Sequence, residues 1–241
     1  MSRKQKSWFV IDIGSAPVYD EPTFKSSWLT ETVYGESCKT LDQEKDWIQI
    51  KCDDGYVGWV HSFYGFQTME RNNPRYIVAY PNDNGLFSCE YPFGSMLKQK
   101  ISGTIPLNQR LGLDNVMNIA QSLLGIPYRW GGKSSFGFDC SGLVQSVLKI
   151  CGINIPRDAQ DQRLFFKNNQ IDLLDARPGD LHFFGVKDNA THVGFSTEGA
   201  GLFHSQGFVK KDSIDSATKG YNKELRDIYL STHSIKCKFK Q

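Results

Sequence analysis

The chain has 241 residues, of which 39% are hydrophobic and 22% charged, and its formal net charge is +2. These values are ordinary for a soluble globular protein, and the length allows one large domain or two to three small ones. The small net charge gives no argument for nucleic acid or an acidic membrane surface, and no apolar run approaches the length of a membrane span. We therefore expect neither nucleic acid nor membrane as a partner.

The first residues, Met1–Lys6, are basic like the start of a signal peptide. Asp12 interrupts the apolar run Trp8–Ile11, so no apolar signal core follows. These features favour a cytoplasmic protein. Export or attachment to the cell wall is the alternative if the sequence is a processed form.

The cysteines are scattered and form no Cys-x-x-Cys pair, which argues against a structural zinc site. They are Cys38, Cys52, Cys89, Cys140, Cys151 and Cys237. If one is a free nucleophile, the other five cannot all pair, and a reducing compartment is the simpler interpretation.

The N-terminal segment is predicted to be β-structure. Runs rich in β-branched and aromatic residues occupy Trp8–Ile13, Trp47–Lys51 and Tyr56–Val60, and Asp53-Asp54-Gly55 joins the last two as a hairpin turn. Together with Pro17-Val18-Tyr19, this order resembles a bacterial SH3-like domain. We assign residues 1–65 to a small all-β barrel of that type.

Residues 66–110 carry a weaker pattern. Tyr76–Tyr80 is typical of a strand, and Pro81–Gly85 of a turn. The segment is interpreted as a second, divergent SH3-like domain or as a connecting subdomain.

The periodicity becomes helical after Asp114. An amphipathic helix is predicted with Asp114 as its N-cap and Gly125 as its end, and two further helices are expected at Cys140 and after Pro156. Strands follow at 179–184, 192–195 and 201–204. Helices followed by an antiparallel sheet predict an α+β domain over residues 111–241.

Cys140 lies at the predicted start of one of these helices, after the glycine-rich run Tyr128–Gly132. Unpaired backbone N–H groups and the positive end of the helix dipole favour an anion there. Such a position can lower a cysteine pKa from about 8.5 to roughly 3.5–7.5. Cys140 is therefore a candidate nucleophile, and it needs a base.

Two histidines are suitably placed to serve it. His192 opens a predicted strand and His204 ends the next one, so a hairpin can bring both rings to one end of the sheet. Cysteine catalysis requires a thiolate, an imidazole within hydrogen-bond reach, and a third group that fixes the imidazole tautomer.

The runs at Tyr128–Gly132, Asp139–Leu143, Pro178–Leu181, His192–Phe195 and Phe203-His204 together resemble the NlpC/p60 family of cell-wall cysteine peptidases. The resemblance implies a papain-like fold and cleavage of peptidoglycan peptides. With an SH3-like domain in front, the chain is similar to the γ-D-glutamyl-L-diamino acid endopeptidase branch.

The resemblance assigns roles to individual residues. Cys140 is the nucleophile, His192 the general base and then acid, and His204 the orienting residue. Tyr128 helps to stabilise the oxyanion, with the Cys140 backbone N–H as a second donor. Asp139 and Ser141 flank the nucleophile and line the substrate groove.

Two further residues are implied to close the groove. Asp158 corresponds to an aspartate that pairs with the free amino terminus of the substrate, an L-alanine ammonium. Ala159 stands where relatives carry a hydroxyl residue, so one hydrogen bond is in doubt. Tyr64, or else Tyr56, is the tyrosine of the SH3-like domain expected at the far end.

Several of these residues also have a purely structural interpretation. Asp158 can be only an N-cap, and His204 only a core histidine. His182 is expected to serve the core or a surface, and Asp180 to stabilise its own turn. Trp47 and Trp59 are expected in the core.

The resemblance implies hydrolysis of the γ-D-glutamyl bond in L-Ala-γ-D-Glu-diaminopimelate or its lysine counterpart, with no cofactor and no metal. A requirement for free L-alanine favours released peptides and murein recycling. The alternatives are amidase or acyltransferase chemistry with the same cysteine and histidine, a non-catalytic peptide-binding protein, and a zinc site at Cys140 with two histidines.

Overall fold

The computed structural model describes residues 8–109 and 111–239. They form two compact units, one with residues 8–109 and 130–136, the other with residues 111–129 and 137–239. Within the described ranges, no helix combines the length and the apolarity needed to cross a bilayer.

The first unit is built on a seven-stranded antiparallel sheet with the order β3-β2-β6-β5-β4-β1-β7. Its strands are β1 (Trp8–Ile11), β2 (Ser15–Tyr19), β3 (Trp28–Val33), β4 (Ser37–Glu44), β5 (Trp47–Lys51), β6 (Val57–His61) and β7 (Gly65–Thr68). The predicted hairpin is present: β5 pairs with β6, and Gly55 takes a positive φ of 94° in the turn between them. Phe9, Ile50 and Val60 are among the residues that fill the core beneath the sheet.

The remainder of the first unit is a three-stranded antiparallel sheet, ordered β10-β8-β9. It consists of β8 (Tyr76–Val78), β9 (Met96–Leu97) and β10 (Thr104–Pro106). Residues 66–109 thus contribute most of β7 to the first sheet and form a small sheet of their own. Their description as a second SH3-like domain stays a prediction.

The segment 130–136, which carries β11 (Lys133–Ser134), belongs to the first unit although it precedes Cys140 closely in sequence. The Trp130 indole donates to the Trp28 carbonyl at 3.1 Å, and the Lys133 amide donates to the Glu31 carboxylate. Lys133 is itself buried, with its ammonium 3.6 Å from the Asp54 carboxylate.

The second unit contains four helices and a six-stranded antiparallel sheet ordered β13-β18-β14-β15-β16-β17. Its elements are α1 (Asp114–Gln121), β12 (Gly137–Phe138), α2 (Cys140–Ile150), α3 (Ala159–Phe165), β13 (Gln170–Ile171), β14 (Leu181–Val186), β15 (Asn189–Glu198), β16 (Gly201–Gln206), β17 (Phe208–Ser213), α4 (Lys223–Asp227) and β18 (Tyr229–His233). Helix α2 is buried on nearly every side and packs against β15 and β16. This is the α+β arrangement expected from the sequence.

Both expected boundaries of α1 are wrong, since the helix ends at Gln121 rather than at Gly125. Asp114 is the first helical residue of α1 rather than its cap, and Leu113 occupies the N-cap position without a side-chain bond. Asp114 still lies in the first turn, where a carboxylate favours the positive end of the helix dipole.

Candidate active site

Cys140 is the first residue of α2, as its sequence position predicted. The preceding Asp139 is the N-cap, and its carboxylate accepts a hydrogen bond from the Gly142 amide at 2.6 Å. Helix α2 therefore starts at a fixed point, and the thiol is held at the end that carries the unsatisfied amides.

The thiol is enclosed by the backbone around His192. Its Sγ lies 3.9 Å from the Thr191 carbonyl oxygen, and the Val193 amide also bonds to it. The sulfur is thus flanked by the residues on both sides of His192, and only 8% of Cys140 is exposed.

This enclosure overturns the expected low pKa. Burial, together with the negative charge of Asp139, raises the pKa of Cys140 to about 11. The amides of Val193 and Ser141 and the charge of Arg157 act in the opposite direction but are outweighed. In the free protein the cysteine is therefore a neutral thiol, which loses its proton when substrate is attacked.

His192 and His204 lie on the neighbouring strands β15 and β16 and contact each other directly. His192 Nε2 is 2.8 Å from His204 Nδ1, and the ring planes are nearly perpendicular. Gly194 makes this approach possible, because a Cβ there would lie 2.7 Å from the His204 Cβ. The second histidine is therefore in position to orient the first.

Asp212, on β17, lies behind this pair. Its Oδ2 is 3.1 Å from His204 Nε2, 2.9 Å from Asn222 Nδ2 and 3.1 Å from Lys210 Nζ. Burial alone would raise the pKa of Asp212, but the hydrogen bonds from Asn222, Lys210 and His204 lower it below its ordinary value. The carboxylate is therefore ionised.

Asp139 and Ser141 are both buried and engaged with Arg157. The guanidinium donates to both carboxylate oxygens of Asp139, at 3.0 Å for Nη1 and Oδ1, and to the Ser141 hydroxyl at 2.9 Å. Gln162 adds a hydrogen bond to the Ser141 carbonyl at 3.0 Å. These contacts brace the start of α2, and direct contact of Asp139 and Ser141 with substrate stays a prediction.

Tyr128 is half-buried in the same unit, beside the nucleophile. Burial, followed by the proximity of Cys140 and Asp139, raises the pKa of Tyr128 to about 12. The phenol therefore keeps its proton at any physiological pH. It can donate a hydrogen bond, as an oxyanion role requires.

Asp158 is exposed at the N-cap position of α3, but its side chain makes no capping bond. The capping interpretation is therefore not supported. Tyr64 and Tyr56 lie in the first unit, half-buried against its core. Contact of either tyrosine with substrate stays a prediction.

The remaining sequence expectations concern the core. His182 is fully buried and its Nδ1 is 2.8 Å from the Thr232 hydroxyl, so it serves the core. Asp180 accepts from the Arg177 amide within its turn at 2.9 Å. Trp47 is buried and Trp59 half-buried.

The zinc interpretation needs three clustered donors. Among the described residues, no group of three His, Cys, Asp or Glu side chains is arranged to hold a metal ion.

The buried histidines predict a loss of stability in acid. Burial lowers the pKa of His182 to about 4, of His192 to about 3 and of His204 to about 4. The unfolded chain therefore binds more protons than the folded protein below about pH 6.5. We expect the free energy of unfolding to fall by about 1 kcal/mol for each of these histidines between pH 7 and 5.5.

Urea unfolding at the two pH values measures this fall. In His182→Gln, the difference in the free energy of unfolding between pH 7 and 5.5 should be smaller by about 1 kcal/mol. The same measurement on His61→Gln, which replaces a histidine that is only partly buried, is the matched control. Equal stability of the wild type at both pH values would contradict the prediction.

Sequence reasoning missed the roles of Arg157, Gln162 and Asp212. A signal for Asp212 exists, because the turn at Gly207 aligns His204 with Lys210 across the hairpin. Alternation along β17 then returns Asp212 to the same face as His204. No comparable signal marks Arg157, whose partner lies 18 residues earlier in the chain.

Residues 125–228 match the NlpC/P60 family model, and residues 18–62 match the model of the bacterial dipeptidyl-peptidase Sh3 domain. The first match contains every candidate site residue except Tyr64, which lies two residues beyond the second.

Two relatives are similar over most of their length, and both are named gamma-D-glutamyl-L-lysine dipeptidyl-peptidase. The protein from Bacillus subtilis is 29% identical over 93% of this chain and 75% of its own. The protein from Bacillus cereus is 25% identical over 81% of this chain and 72% of its own.

A solved NlpC/P60 family structure from Bacillus cereus has the same fold. It superposes with a TM-score of 0.75 at 20% identity and covers 94% of this chain and 99% of its own. The chain therefore carries an NlpC/P60 family domain with a bacterial SH3 domain in front of it.

Proposed function

We propose that this protein is a cysteine endopeptidase that hydrolyses the bond between γ-D-glutamate and a diamino acid in peptides derived from peptidoglycan. The observation that carries the proposal is the placement of Cys140 at the start of α2, beside the backbone of His192, whose ring contacts His204 at 2.8 Å. The names of the two relatives support this bond and, for the diamino acid, lysine.

The reaction begins with attack of the Cys140 sulfur on the γ-carbonyl carbon. His192 takes the thiol proton as the carbon–sulfur bond forms, and the carbonyl π electrons move to oxygen. Since both groups are neutral at rest, deprotonation and attack occur together. No standing thiolate is required.

The oxyanion needs hydrogen-bond donors. In the first turn of α2, the Gly142 amide bonds to Asp139 and the Ser141 amide bonds to the sulfur. We assign the Cys140 amide and the Tyr128 phenol to the oxyanion, where each stabilises the developing charge.

The intermediate collapses when His192 gives its proton to the amino group of the diamino acid, and the carbon–nitrogen bond breaks. The glutamyl fragment stays on the sulfur as a thioester. His192 then removes a proton from water, the hydroxide attacks the thioester, and the thiol leaves with the proton regained.

The proposal extends to substrates with a free N-terminal L-alanine. Asp158 is exposed at the entrance of α3 and does not cap that helix. A carboxylate in such a position is suited to an ammonium group. Preference for a free amino terminus suits released peptides, and hence a cytoplasmic recycling role.

Cleavage of L-Ala-γ-D-Glu-L-Lys, its diaminopimelate counterpart and their N-acetylated forms tests the substrate proposal. We expect release of L-Ala-D-Glu, and a kcat/KM at least tenfold lower for acetylated peptides, because a charge-assisted hydrogen bond contributes about 1.5–3 kcal/mol. Asp158→Asn should remove most of this preference.

Asp161→Asn, an exposed change in the same helix, is the matched control and should retain the preference. Equal cleavage of free and acetylated peptides by the wild type would contradict the role of Asp158. Release of a different product would indicate amidase or acyltransferase chemistry. Binding without cleavage would indicate a non-catalytic protein. Activity lost to a chelator would indicate a metal site.

A further inference from the structure

The chain of polar contacts behind Cys140 does not end at the second histidine. It crosses three neighbouring strands, from His192 on β15 to His204 on β16 and Asp212 on β17. His204 is fully buried, so its two ring nitrogens depend on these two partners rather than on water.

The carboxylate determines where the protons lie. An ionised carboxylate only accepts hydrogen bonds, so His204 must carry its proton on Nε2, 3.1 Å from Asp212 Oδ2. His204 is neutral, because burial lowers its pKa to about 4, and its Nδ1 therefore holds a lone pair. His192 must then donate from Nε2 across the 2.8 Å contact.

The tautomer of His192 determines which of its ring nitrogens can serve the nucleophile. Burial lowers the pKa of His192 to about 3, so the ring is neutral and carries one proton. With that proton on Nε2, the lone pair is on Nδ1. This is the nitrogen left to accept the proton of the thiol.

Asp212 is itself held in place. Its Oδ2 accepts from Asn222 Nδ2 at 2.9 Å, and the Asn222 side-chain oxygen caps α4 by accepting from the Leu225 amide at 3.1 Å. Lys210 lies 3.1 Å from the same oxygen. The carboxylate is thus oriented by a helix cap and an ammonium group.

We propose that Asp212 is a positioning residue of the active site: its carboxylate fixes the proton of His204 on Nε2, and through it fixes His192 in the tautomer whose Nδ1 accepts the proton of Cys140. Asp212 touches no reacting atom and acts through two imidazoles. The inference rests on the proposed function only for its kinetic part, because the tautomers are properties of the free protein.

Asp212→Leu tests the proposal, because it removes the acceptor with a modest change in volume. Asn222 Nδ2 and Lys210 Nζ, which shared Asp212 Oδ2 with His204, can only donate, so the His204 proton moves to Nδ1 and that of His192 to Nδ1 as well. The lone pair of His192 then faces His204 instead of the thiol. In a serine protease triad, a change of the acid that leaves the histidine in the wrong tautomer lowers kcat about 10⁴-fold. Through one more ring we expect kcat to fall roughly 10²-fold, with KM within about threefold.

The tautomers are read directly by ¹⁵N NMR of histidine-labelled protein, with His192 and His204 assigned through Gln variants of the other histidines. The wild type should show both rings protonated on Nε2, and Asp212→Leu should show protonation moved to Nδ1. Asp227→Asn removes an exposed carboxylate from the nearby α4 and should change neither spectrum nor kcat.

Each outcome decides the proposal. A wild-type spectrum with Nδ1–H on either ring overturns it, even if Asp212→Leu does not fold. A fall in kcat without a tautomer change also overturns it, since the role is then only structural. If the wild type cleaves none of the peptides, the proposed function fails while the tautomer assignment is still judged by the spectra.

Discussion

Cys140→Ser is expected to abolish peptide hydrolysis, with a fall in kcat of about 10⁵-fold or more. The change retains the volume of the side chain and the start of α2, but a hydroxyl is a far weaker nucleophile next to a neutral imidazole. Loss of the nucleophile in a catalytic triad has an effect of roughly 10⁶-fold in the best-studied case. Release of L-Ala-D-Glu, followed by chromatography, measures it.

Two controls make this result specific. Cys89→Ser changes an exposed cysteine of the first unit and should leave kcat unchanged. Urea unfolding should show that Cys140→Ser is folded. Hydrolysis by Cys140→Ser within tenfold of the wild-type rate would remove Cys140 from the mechanism.

The largest effect on stability is expected from Arg157→Met. Arg157 is 3% exposed and makes a two-pronged ion pair with Asp139, which is 7% exposed. Removal of one partner leaves a buried charge without compensation, at a cost of about 3–5 kcal/mol. Urea unfolding should show this loss in the free energy of unfolding.

The double variant Arg157→Met/Asp139→Asn should recover most of the loss, because the remaining amide is neutral and can still cap the Gly142 amide. Arg71→Met is the surface counterpart. It breaks an ion pair with Asp53 whose side chains are about half exposed, and it should cost less than about 1 kcal/mol. A similar cost for Arg71→Met and Arg157→Met would contradict the role of burial.

The sequence was sufficient for the order of elements and for the places of Cys140, His192 and His204 in the fold. Cys140 is found at the start of α2 because a cap residue and an apolar period define a helix locally. His192 and His204 meet because adjacent antiparallel strands are joined by a short turn. Both features depend on neighbours in the chain, which a single sequence displays.

The properties that depend on distant packing were not predictable. The pKa of Cys140 is raised by enclosure between α2 and β15, two elements 51 residues apart at the contact. The Ser141 amide at the start of α2 lowers this pKa, but burial outweighs it. No local pattern marks Arg157, and its neutralisation of Asp139 appears only when the fold brings the two together.

The segment 130–136 has a consequence for how such proteins can be divided and recombined. It lies in the chain between Tyr128 and Cys140, yet Trp130 and Lys133 bond to Trp28 and Glu31 of the first unit. The polypeptide therefore passes between the units three times, and no single cut yields two intact modules. A chimaera that exchanges the N-terminal region of one relative for that of another must exchange this seven-residue insert with it.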